Sequence, residues 1–270
     1  MLGRWFRRLL VLGVVLALLW IGGLAVLGEL GGRWAATRLR STLATALDAD
    51  VRVGGVDLAL VRGRATLVEL HLDRRSLGAL RVDVRRAELQ VPPLGLALWR
   101  RDRAEHLAVA GAELELSSWA VLAPAPAGLL EFPVDSFELK DVKVALAPSL
   151  LVPGLGGAKL IIDRARGGAT TFRSPVSWLL SIDELDAHVD LPAGATALLR
   201  YRATPEARPD ELRGVLTLRS SLLRRELAIS LALPKVIDGD ELAALRELGA
   251  VVVREISKHK VSELLRLLVR

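Results

Sequence analysis

The chain has 270 residues, 51% of them hydrophobic and 25% charged, a balance that excludes an intrinsically disordered chain. It contains no cysteine, which excludes a disulfide scaffold, a thiolate metal site and a cysteine-borne lipid anchor. A net charge of +6 and a pI near 10.2 favour anionic partners, either nucleic acid or acidic phospholipid. The mean hydropathy of +0.37 points to a membrane segment or a large apolar surface.

From Leu9 to Gly28 the sequence LLVLGVVLALLWIGGLAVLG carries no charge. Twenty such residues make a helix of about 30 Å, the thickness of a bilayer's hydrocarbon core. Arg4, Arg7 and Arg8 precede the run and Trp5 and Trp20 stand near its ends, as expected of a transmembrane anchor whose N-terminus stays on the cytoplasmic side. A cleaved signal peptide with Gly23 or Ala25 at its cleavage site, and a buried soluble helix, are the alternatives. With the anchor in place the remaining charge faces lipid head groups, and nucleic acid is not an expected partner. Residues 30–48 space leucines at 39, 43 and 47, which predicts a short amphipathic helix next to the membrane.

From Val51 to about Leu233 the period changes to that of strands. One pattern recurs: apolar at alternate positions, then a step of two polar or small residues, then alternation again. Val51, Val53, Val56, Leu58 and Leu60 show it first, and Ala65, Leu67, Leu70 and Leu72 give a shorter copy. Further copies are Val82, Val84, Ala87, Leu89 and Val91; Leu107, Val109, Ala112, Leu114 and Leu116; Phe137, Leu139, Val142, Val144 and Leu146; and Leu180, Ile182, Leu185, Ala187 and Val189. The steps fall at Gly54-Gly55, Arg85-Arg86, Ala110-Gly111, Lys140-Asp141 and Asp183-Glu184. A two-residue step flips the apolar set to the other face of a plain strand unless a one-residue bulge restores it. A tight turn between two short strands is the alternative. With Arg52, Asp57, Glu88, Gln90, Glu113, Glu115, Glu138 and Lys143 on the other side, the result is a mainly β fold built on a one-faced sheet. Its apolar face needs a cover: closure of the sheet on itself, a second sheet packed upon it, or an apolar ligand held in a groove.

The segments 51–73 (VRVGGVDLALVRGRATLVELHLD), 78–99 (GALRVDVRRAELQVPPLGLALW) and 105–116 (EHLAVAGAELEL), with a weaker continuation at 132–146 (FPVDSFELKDVKVAL), follow the anchor at Leu9–Gly28. In this the chain resembles the AsmA-like family of envelope proteins, related in architecture to the bridge-like, chorein-type lipid transfer proteins. The resemblance covers roughly the first 150 residues and rests on a hydrophobic pattern. It implies a single-pass protein of the inner membrane, N-terminus in the cytoplasm and bulk in the periplasm. It further implies a sheet curled like a taco around an apolar groove for phospholipid or other acyl chains, serving lipid homeostasis or transport between membranes. The candidate groove residues are Val56, Leu58, Leu60, Leu70, Leu72, Val84, Leu89, Val91, Leu114, Leu116, Val142 and Val144. The partners implied are acyl lipid, the inner membrane and other envelope proteins; the family brings no catalytic residue. At 270 residues the chain is too short to span a periplasm as long members do. A non-catalytic envelope scaffold with a packed core is the rival reading.

Chemistry-bearing motifs are sparse. His71 with Asp73, and His188 with Asp190, share a strand face at i, i+2 without a third partner, and read as solvated surface. Asp183, Glu184 and Asp186 lack the glycine-turned loop of a calcium site. Gly154 to Lys159 lacks the spacing of a phosphate-binding loop, and no GxSxG or HExxH motif occurs. Neither enzyme activity nor a cofactor or metal is expected. At the C-terminus the helical period returns. Asp240 caps a stretch through Leu242, Leu245 and Leu248, and residues 254–270 group Val261, Leu264, Leu265 and Leu268 with Lys258, Lys260, Arg266 and Arg270 around them. The expected organisation is therefore 1–28 N-terminus and anchor, 29–50 membrane-proximal helix, 51–235 β domain and 236–270 helical element.

Overall fold

The computed structural model describes residues 28, 30–45, 48–74, 80–92, 104–116, 133–146, 159–168, 170–171, 179–190, 196–205, 210–220, 226–236 and 241–268. The predicted anchor, Leu9–Gly28, lies outside them but for its last residue, as does Asp240. Among the described residues no helix is long and apolar enough to cross a membrane.

Helix α1 covers residues 30–45, where the leucine spacing predicts it. Among the described residues twelve strands follow: β1 Asp50–Ala59, β2 Arg64–Arg74, β3 Leu80–Gln90, β4 His106–Leu116, β5 Pro133–Val134, β6 Phe137–Leu146, β7 Lys159–Gly167, β8 Thr170–Thr171, β9 Ile182–Asp190, β10 Thr196–Ala203, β11 Glu211–Ser220 and β12 Leu227–Pro234. The two C-terminal stretches join in one helix, α2, Glu241–Leu268.

Ten of the strands form a single sheet in the order β1-β2-β3-β4-β6-β7-β9-β10-β11-β12. The sheet is curled and not closed: β1 and β12 are its two edges. Of the covers open to a one-faced sheet, closure into a barrel is thereby excluded, and no second large sheet exists among the described residues. All neighbours are antiparallel except β4 and β6. The small β5–β8 ribbon is tied to the start of β4 by Ala104 N–H donating to Pro133 O and Asp135 N–H donating to Ala104 O, both at 2.9 Å.

The curl gathers one hydrophobic cluster from both halves of the chain. It runs from Val91, Leu107 and Phe137 through Ile162 and Ala165 to Ile229, Leu231 and, from α2, Ala244. Leu248, Val251 and Val252 of α2 pack against the same cluster, so the first half of this helix docks as an ordinary terminal helix. At the other edge α1 approaches β1 closely: a Cβ at Gly32 would fall 2.1 Å from Val56 O, and one at Gly28 2.6 Å from Leu58 O. Only glycine lets helix and strand backbones meet in this way.

Four of the five two-residue steps resolve into a crease across the sheet; the fifth, Asp183-Glu184, falls at a separate register shift opposite Arg166 and Gly167. Gly54, Glu69, Arg85, Gly111 and Asp141 each drop out of the ladder, yet the pairing on either side keeps the same register. The extra residue of each strand is thus matched by one on its neighbour, so this is neither a bulge in the pairwise sense nor a turn. Glu69 (φ 55°), Gly111 (φ 65°) and Asp141 (φ 51°) take the left-handed conformation, which reverses the alternation and returns the apolar set to its original face. The line ends in a true bulge between β7 and β9, where the register shifts between Ile162 and Arg164 and Asp163 has no counterpart.

Candidate functional site

The register aligns the apolar residues into rows that cross the sheet. One row reads Val53, Leu70, Val84, Ala112, Val142, Ile162, Ala187, Leu199, Leu218 and Leu227, one residue from each of the ten strands. On the other side of the crease a second reads Val56, Leu67, Ala87, Val109, Leu139, Ala165, Leu185, Tyr201, Leu216 and Ile229. Outside these lie the rows of Val51, Leu72, Val82, Leu114 and Val144, and of Leu58, Ala65, Leu89, Leu107 and Phe137. Directly opposite residues share a face, so all four rows belong to one apolar surface.

All the candidate groove residues but one can be placed on this surface or at its margin. Val56 and Leu58 come from β1, Leu70 and Leu72 from β2, Val84 and Leu89 from β3, Leu114 from β4, and Val142 and Val144 from β6. Leu60 sits in the 3-10 turn after β1, and Val91 follows β3, donating its N–H to Gly63 O at 2.8 Å. The side chain of Leu116 lies outside the described part; its backbone pairs with Leu80 and Leu146. Leu72, Val91 and Val142 are buried, whereas Val56, Leu58, Leu60, Leu70, Val84, Leu89, Leu114 and Val144 are only half-buried. The surface is therefore sealed at some positions and only half-buried at others, on β1 to β4 and β6 alike.

Beyond Val144 the apolar surface continues through Leu160, Leu185, Leu199, Leu216 and Leu227, all half-buried against the core. These residues are missing from the sequence-derived set. Leu185 belongs to the last copy of the recurring pattern, and for Leu199, Leu216 and Leu227 the signal was plain alternation in TALLRYRA, ELRGVLTLRS and LAISLALP without the two-residue step.

The reverse face is polar and laced by ion pairs between neighbouring strands. Lys143 Nζ donates to Glu113 Oε1 at 2.7 Å. Arg200 and Arg202 converge on Asp186 at 3.0 and 2.9 Å. Lys140, Arg164 and Arg166 surround Glu138 at 3.2, 2.9 and 3.1 Å. Hydrogen bonds from Lys143 and Arg202 hold the Glu113 and Asp186 carboxyls below their ordinary range. At Glu138 burial pushes the other way, but the bonds from Arg166 and Lys140 and their charges outweigh it and leave the carboxyl lowered. The histidines do not pair along their own strands: His71 hydrogen-bonds Asp83 across β2–β3, and His188 Nδ1 meets Asp163 Oδ2 at 3.0 Å across β7–β9. Cross-strand neighbours at 4.5–5.5 Å are nearer than i, i+2 neighbours on one strand. Asp183 and Asp186 likewise serve different partners, Asp183 accepting from the Gly168 N–H. Among the described residues no three metal-ligating side chains converge.

Compared with family models and with curated proteins, the chain matches none.

Proposed function

We propose that the chain is a membrane-anchored envelope protein that binds or passes phospholipid acyl chains along the apolar surface of its sheet. In this reading Leu9–Gly28 is held in the inner membrane and the sheet lies in the periplasm, in the manner of the AsmA-like proteins it resembles. The observation that carries the reading is the pair of unbroken apolar rows across ten strands, only half-buried at many of their positions and backed by an ion-paired polar face. Ten strands at about 4.8 Å spacing give a trough of about 43 Å along the rows. That exceeds the depth of one leaflet's acyl layer, about 15 Å, and each methylene buried there contributes about 0.8 kcal/mol. A second reading, an envelope scaffold acting through partner proteins, is favoured by the fully buried stretch around Phe137, Ile162 and Ala165.

Native mass spectrometry of the detergent-extracted protein separates the two. Co-purified phospholipid is expected in the wild type and should be lost in Leu58→Asp and Leu89→Asp, both half-buried, while the variants keep their β signal. Folded variants with undiminished lipid would refute the groove. Variants that unfold would point to a packed core. A reporter active only outside the cytoplasm, fused after Arg270, is expected to be active; cytoplasmic activity there would overturn the location.

A further inference from the structure

A cleft of about 490 Å³ opens where β9, β10 and β11 end beside the residue that follows β12. Asp183, Glu184, Tyr201, Glu211, Arg213 and Lys235 line it. Its floor is apolar, because Ile182 and Leu212, both buried, line it as well, and Ile182 pairs with Gly167 at the end of an apolar row. The apolar surface and this charged cleft are therefore continuous.

The cleft is fixed by backbone contacts. Lys235 N–H donates to Asp210 O at 2.8 Å, and Thr204 N–H donates to Arg213 O at 2.9 Å, so the ends of β10, β11 and β12 cannot splay. The Tyr201 ring fills the space over Gly214, where a Cβ would lie 2.8 Å from the Tyr201 hydroxyl. Lys235 is half-buried. Burial lowers its ammonium, and the Asp183 and Asp210 carboxylates oppose that without an ion pair among the described residues. Burial raises the Asp183 carboxyl in turn and pushes the Tyr201 hydroxyl up to about 12. A half-buried ammonium and an exposed carboxylate that face one space without an ion pair between them suit a ligand carrying both signs.

We propose that this cleft binds a zwitterionic phosphate-plus-amine group of the phosphoethanolamine class, with Lys235 and Arg213 toward the phosphate and Asp183 and Glu184 toward the amine. The proposal rests on the lipid-binding reading: acyl chains on the apolar rows bring the head group to the end of β9 to β11. A free phosphoethanolamine has the same chemistry, and the test separates the two sources.

The full detergent-extracted chain is titrated in native mass spectrometry with phosphatidylethanolamine, phosphatidylglycerol and diacylglycerol of identical acyl chains, and separately with water-soluble phosphoethanolamine. Wild type is expected to bind phosphatidylethanolamine tightest. Lys235→Gln should weaken it about tenfold, as for one charge-assisted bond, with diacylglycerol unchanged. Arg213→Gln, at an exposed position, provides a second variant that leaves the fold intact. If diacylglycerol binds and neither variant changes phosphatidylethanolamine, the cleft proposal falls and the lipid reading stands. Equal losses for phosphatidylglycerol would overturn the role of the amine. If no lipid binds wild type, the lipid reading falls; binding of phosphoethanolamine that Lys235→Gln removes would then keep the cleft, with a soluble ligand, and its absence would remove both.

Discussion

The ring of Phe137 occupies the space that a side chain at Gly167, its directly opposite partner on β7, would need. A Cβ at Gly167 would fall 2.2 Å from Phe137 Cε1 and 2.3 Å from Ser181 O. Phe137 is 1% exposed, the largest of the fully buried side chains among the described residues, and it is seated by the absence of a side chain across the ladder. An aromatic ring laid over a cross-strand glycine restores the packing that glycine lacks. Gly167→Ala is expected to destabilise the protein by about 2–4 kcal/mol through overpacking, read as a lower midpoint in urea unfolding. Adding Phe137→Leu should recover part of that loss but not all, because the Ser181 carbonyl still blocks the new methyl.

The crease carries its own test at Asp141, an exposed residue with φ 51°. The left-handed region costs a non-glycine residue about 1–2 kcal/mol, and glycine avoids that cost while losing more chain entropy on folding. Asp141→Gly should therefore stabilise by about 0.5–1 kcal/mol, and Asp141→Val should destabilise by at least about 1 kcal/mol because a β-branched residue tolerates positive φ worst. Thermal melts of the two variants in opposite directions would support the strained crease. A neutral Asp141→Val would contradict it.

The ion-paired reverse face sets the response to acid. Asp83, Glu113, Glu138 and Asp186 all have carboxyls lowered by cationic or hydrogen-bonding neighbours. A carboxyl whose folded pKa is depressed contributes its stabilisation fully above the unfolded value, here 3.8 for Asp and 4.5 for Glu, and loses it as pH falls through the folded pKa. The melting temperature should thus hold from neutral pH to about 5 and fall steeply below about 4.5. Glu138→Gln, which leaves three cations around an amide, should lower stability at pH 7 by about 1 kcal/mol and flatten the acid limb. An unchanged acid limb in this variant would show that Glu138 contributes nothing to it.

At the C-terminus the expectation concerns where α2 matters. Ala244, Leu248, Val251 and Val252 meet the core, and Val253 is 55% exposed. Truncation after Val253 should change unfolding free energy by less than about 1 kcal/mol, whereas Leu248→Asp should cost about 2–4 kcal/mol by placing a charge against the core. Precipitation of the truncated chain would assign a structural role to the last turns as well.

Much of this architecture is legible in the amino-acid order, and the limits are physical. Period-2 alternation is a local property, so β1 to β4 and β6, with their apolar face, follow from residues a few positions apart. The step residues at Gly54, Arg85, Gly111 and Asp141 mark the crease for the same reason. What a single strand cannot reveal is that its extra residue is matched by the next strand's, since that is a relation between chains of hydrogen bonds. The same gap explains why His71 meets Asp83 rather than Asp73, and why the cleft of Asp183, Tyr201 and Lys235 leaves no trace in the sequence: its members come from three separate segments. The half-buried state of Leu58 and Leu89 against the full burial of Val142 depends on how far the sheet curls, which no local spacing encodes.

The order of strands in the large sheet is their order along the chain, with only the short β5 and β8 set aside. No strand is inserted between two earlier ones, so the sheet has no privileged middle and its size is not fixed by its topology. A further hairpin placed between β12 and α2 would extend the two apolar rows that reach β12 by two residues each and the trough by about 10 Å, leaving the existing pairings untouched. Length in such a fold is an adjustable quantity, set by the number of hairpins rather than by a redesign of the core, as in other proteins whose units contact only their neighbours.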